Sequence, residues 1–138
     1  GDNVEDLLGP IPYIIFYLLC GIIAALAQIV ADPTSIIPNV GASGAISGVL
    51  AGYLVLLPTG TVRLFIFFGF FYRITKVPAL LFILVWFVIQ LFSGVASLGV
   101  VAESGGVAYW AHIGGFIAGL LLAFAYKTIM RRHLFPSH

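Results

Sequence analysis

Two side chains in this sequence could together perform nucleophilic chemistry. Ser43 stands in "NVGASGAISGVLAG", residues 39–52, a run with two serines and four glycines among apolar residues. His112 stands in "AYWAHIGGFIAG", residues 108–119. A serine hydroxyl is a poor nucleophile until a base removes its proton during attack, and neutral histidine is the usual base near pH 7. His112 is the one histidine inside an apolar span. An ionisable group there is costly to bury, which makes it a functional candidate. Each residue alone also has a plain structural reading. A membrane serine bonds its own backbone carbonyl, and a membrane histidine bonds a neighbouring helix.

Spacing ties the two together. Gly44, Gly48 and Gly52 recur every four residues beside Ser43. Gly115 and Gly119 share the helical face of His112. Small-residue ridges let membrane helices approach until their backbones nearly touch. Packing between the two ridges, through Gly44, Gly48, Gly115 and Gly119, would bring hydroxyl and imidazole to one place. Gly41 frees the backbone just ahead of the Ser43 helix. A helix N-terminus offers unpaired N–H groups and partial positive charge. The candidate backbone donors for a developing oxyanion are therefore the amides of Gly41 and Ser43.

The elements that must carry these residues are membrane helices. The 138 residues are 62% hydrophobic and only 8% charged, so lipid must cover part of the surface. A spanning helix needs about 20 apolar residues. Spans are expected at about 11–30, 43–57, 78–98 and 107–128, within one membrane domain, 1–138. The second is short: about 14 residues make roughly 21 Å of helix against a bilayer core about 30 Å thick. Its Ser43 end should therefore begin below the membrane surface. Residues 64–72, "LFIFFGFFY", are too short to span and are flanked by Arg63 and Arg73. They read as an interfacial segment, with a short strand or irregular loop as alternatives.

Charge sets the orientation. Arg63, Arg73 and Lys76 lie between the second and third spans, and Lys127, Arg131 and Arg132 follow the last. The opposite loops, 31–42 and 99–108, hold no Lys or Arg. The positive-inside rule then puts the chain ends in the cytoplasm and Ser43 and His112 near the outer face. Six basic residues make no phosphate-tracking stripe, so nucleic acid is not an expected partner. Cys20 is the sole cysteine, which excludes an internal disulfide, and reads as a small apolar side chain inside a helix. No HExxH pair and no pair of intramembrane aspartates is present, so neither a metal nor an aspartyl protease site is expected, and no cofactor is called for.

"GASG" at 41–44 with "AHIGGFIAG" at 111–119 resembles the rhomboid intramembrane serine proteases. The resemblance covers nearly the whole chain. "GDNVEDLLG" is similar to the junction after the family's second helix, and "FYLLCGIIA" to its third. It implies an all-α polytopic bundle, with four spans here that correspond to the last four of six. It implies Ser43 as nucleophile and His112 as general base, then acid, in a Ser–His dyad that cleaves transmembrane protein substrates. It also places two helices, with a His and an Asn that help bind the oxyanion, upstream of Gly1, so the sequence reads as part of a longer protein of a bacterial inner membrane. Some members carry an aromatic four residues after the nucleophile, stacked on the histidine. Ser47 stands there, so another group must orient His112. No carboxylate lies within a span, although Glu103 could approach from its loop.

Two other readings compete. A non-catalytic relative would bind membrane helices but would not need both Ser43 and His112. A transporter would show two halves with matching helix breaks, which are not visible. In the protease reading, span 78–98 and the glycine-rich run 93–106 form the movable wall. Trp86 and Phe87 would plug its side, or else pack plainly against lipid or core.

Overall fold

In a computed structural model, residues 1–34, 41–97 and 108–134 are described. They form α1 (Asp2–Leu8), α2 (Pro10–Ala31), α3 (Gly41–Leu56), β1 (Thr61–Phe68), β2 (Phe71–Pro78), α4 (Ala79–Ser97) and α5 (Tyr109–Leu134). The fold is a helical membrane bundle. Helices α2, α4 and α5 are long and apolar enough to cross a bilayer, while α3 is a shorter apolar helix. Large apolar side chains such as Ile11, Leu18, Ile22, Leu84 and Leu121 point out of the bundle. That distribution suits a lipid surround rather than water.

Glycine and proline set the breaks. Gly9 has φ 85°, a left-handed value costly for a side chain, and Pro10 opens α2, where its missing N–H is no loss. α3 packs against both α2 and α5, which also pack against each other. Its described residues run from Gly41, so that glycine lies within the helix rather than in the chain ahead of it. Its 16 residues rise about 24 Å at roughly 1.5 Å each, and Ser43 sits in its first turn.

Helices α3 and α5 run parallel. Gly44 lies against Ala111 and Gly115 at one end, and Lys127 Nζ donates to the Val55 carbonyl at 2.9 Å at the other. That bond satisfies one of the carbonyls a helix C-terminus leaves unpaired. α2 runs antiparallel to both. Ala24, Cys20 and Phe16 meet Gly44, Gly48 and Gly52 in turn, and Ala27 meets Gly114. α4 runs antiparallel to α5, with Gly94 near Tyr109 and Phe87 on Phe116.

Of the readings weighed for 64–72, the short strand is the one found, as part of an antiparallel ribbon. β1 and β2 pair from Thr61↔Pro78 to Phe68↔Phe71. The run is rich in aromatic and β-branched residues. Gly69, at φ 60°, supplies the left-handed first position of a two-residue turn. Arg63 and Lys76 face each other across the strands, and Phe67 faces Tyr72. The base is anchored where Val62 packs on Ala51, Leu54, Ala79 and Ile83. Phe70, at the tip, is fully exposed.

Candidate active site

Glycine builds the seam between α3 and α5. A Cβ on Gly115 would run into the Gly44 carbonyl oxygen, and one on Gly119 into that of Gly48. A Cβ on Gly44 would come within 3.3 Å of the Ala111 carbonyl oxygen. No residue but glycine permits backbones this close. Gly44 follows Ser43 and Ala111 precedes His112, so this contact sets the two first turns side by side at equal depth. A carbonyl acceptor for Ser47 Oγ lies at Ser43 itself, 3.0 Å away, one turn back in α3. Gly41 and Ser43 both fall within the first four described residues of α3.

A family model described as a rhomboid domain matches residues 1–128. The chain belongs to the rhomboid family. No curated relative and no solved structure gives a significant match.

Two glutamines complete the surroundings of the histidine in this rhomboid domain, and sequence reasoning missed both. Gln28, near the end of α2, accepts the Ala111 N–H through Oε1 at 3.2 Å. That amide lies in the first turn of α5, where helices need partners from outside. Gln90 of α4 is buried, and its Oε1 lies 2.7 Å from His112 Nδ1. Trp86, one turn earlier, places its ring 5.8 Å from the imidazole, centre to centre, at 40°. In this rhomboid chain the ring is therefore flanked from α4, while Ser47 stands where some relatives have an aromatic. Trp86 and Phe87 both turn toward α5. Trp86 lies 6.4 Å from Phe116, and Phe87 stacks on it at 4.1 Å. Glu103 and most of the run 93–106 lie outside the described residues.

The only sequence signal for either glutamine was a long amide side chain in an apolar span. Such a group buries at a cost unless it is hydrogen-bonded, so each called for a partner. Nothing in its spacing said which one.

Proposed function

We propose that this rhomboid-family membrane protein is an intramembrane serine endopeptidase acting on transmembrane protein substrates. Ser43 Oγ attacks the scissile carbonyl while His112 Nε2 takes its proton. The developing oxyanion meets first-turn amides of α3, with Ser43 and Gly41 the candidate donors. His112 then returns the proton to the leaving amine, and water hydrolyses the acyl-enzyme by the same route in reverse. No cofactor enters these steps.

One observation carries this reading: the Gly44–Ala111 contact sets the serine and histidine turns of two parallel helices against each other. The short α3 supports it too, since a helix of that length starts below a membrane surface, where a transmembrane segment could be presented. The reading includes two upstream helices supplying side-chain oxyanion donors, as the resemblance implies. It also includes a bacterial inner membrane with the basic ends cytoplasmic.

The experiment is labelling with a fluorophosphonate in membranes, with the chain alone and with an upstream two-helix segment supplied. Labelling that disappears in Ser43→Ala and in His112→Ala is expected. No labelling under either condition would favour a non-catalytic relative that only binds membrane helices.

A further inference from the structure

We propose that Gln90 is the positioning residue for His112. Its carbonyl oxygen holds the proton on Nδ1, leaves the Nε2 lone pair for the Ser43 proton, and works with Trp86, which holds the ring plane. The inference rests on the protease reading above.

The geometry argues it directly. Gln90 is only 8% exposed, and it and Ser47 are the buried polar side chains among the described residues. An unpaired amide so placed would lose its hydration with no return. It meets the imidazole through oxygen, an acceptor only, at 2.7 Å. A neutral imidazole satisfies that oxygen only as the Nδ1–H tautomer. The acceptor lone pair is then confined to Nε2, the nitrogen a general base needs free.

Helical spacing explains why one element does both jobs. Trp86 and Gln90 are four residues apart on α4, as are His112 and Phe116 on α5. Residues four apart lie on one helical face. In antiparallel packing the two pairs interleave, Gln90 against His112 and Trp86 against both His112 and Phe116. The amide blocks rotation about the ring normal, and the indole blocks tilting. The role that a buried carboxylate plays in a Ser–His–Asp triad falls here to a neutral amide. It fixes the tautomer without adding charge to the bundle.

The test has a spectroscopic arm and a kinetic arm, both on the chain in lipid nanodiscs with the upstream segment supplied. Nitrogen-15 spectra of labelled histidine distinguish protonated from bare ring nitrogens, and His112→Ala assigns the His112 signals. Near neutral pH the parent should show a protonated Nδ1 and a bare Nε2. Gln90→Leu should mix the tautomers and lower kcat by about 10- to 100-fold, with KM little changed. Gln90→Glu, which keeps an acceptor oxygen, should restore the tautomer and part of the rate.

A bare Nδ1 in the parent would overturn the proposal. So would a Gln90→Leu protein with the parental spectrum and kcat. If Gln90→Leu does not fold, the parent spectrum and Gln90→Glu still decide. If the parent neither cleaves nor takes up fluorophosphonate, the protease reading fails, while the spectra judge Gln90 independently.

Discussion

At the scale of single residues, the site divides into groups that would react and groups that hold them. Ser43→Ala should abolish cleavage of a transmembrane substrate, lowering the rate by several orders of magnitude, while the melting temperature stays parental. A parental rate in a gel-based cleavage assay would sink the assignment. Gln28 should behave in the opposite way. Gln28→Leu strips the Ala111 N–H of its acceptor, and an unsatisfied buried donor costs about 1–3 kcal/mol. Its thermal unfolding should fall accordingly, with Gln28→Glu, which keeps an acceptor, close to the parent.

Sequence and structure part company at this scale for a physical reason. A serine and a histidine are reactive types, and each carries a glycine ridge of regular period. Gln28 and Gln90 have no period and no motif. Their meaning comes from what lies opposite, at separations of 83 and 22 residues.

Between helices, the seam matters more than any one side chain. Gly115 has no room for a β-carbon because the Gly44 carbonyl occupies it. Gly115→Leu should push α5 from α3 by about a side-chain width, and activity should fall although no reactive atom has changed. Parental activity together with parental thermal stability in this variant would count against it. The movable-wall idea is best tested on α4 with Phe87→Ala. Trp86 touches His112 as well, so altering it confounds gate and base. Phe87 touches Phe116, and its removal should loosen α4 and raise cleavage of transmembrane substrates relative to a soluble peptide. An unchanged ratio in a folded variant would argue against a gate there.

The ribbon marks the limit of pattern reading for whole elements. Nine residues bracketed by arginines fit an interfacial segment as well as a strand. Gly69 closed the question only because its backbone takes φ 60° and turns the chain onto itself. The long helices were easier, since a charge-free apolar run of bilayer length has few other folds open to it.

Over the whole molecule, the basic residues stand at or after the ends of α3 and α5 that lie away from Ser43 and His112. The ribbon with Arg63, Arg73 and Lys76 follows the C-terminal end of α3, and Lys127 reaches that same end from α5. The serine and histidine turns lie at the other. If this end is cytoplasmic, a cysteine placed by Phe70→Cys at the exposed tip should react with a membrane-impermeant maleimide in inverted vesicles and stay protected in intact cells. Labelling in intact cells would reverse the orientation.

Cys20 has a consequence of its own. Its side chain is fully buried, wedged between α2 and α3 where Gly48 leaves room for its sulfur. It is the chain's only thiol. While α2 and α3 stay closed, a thiol reagent has no room at its sulfur, so its alkylation by a lipid-soluble reagent should time how often those two helices part. The protein thus carries a built-in reporter of its own breathing. The frequency of that opening, and its response to temperature or lipid, can be timed on the unaltered chain.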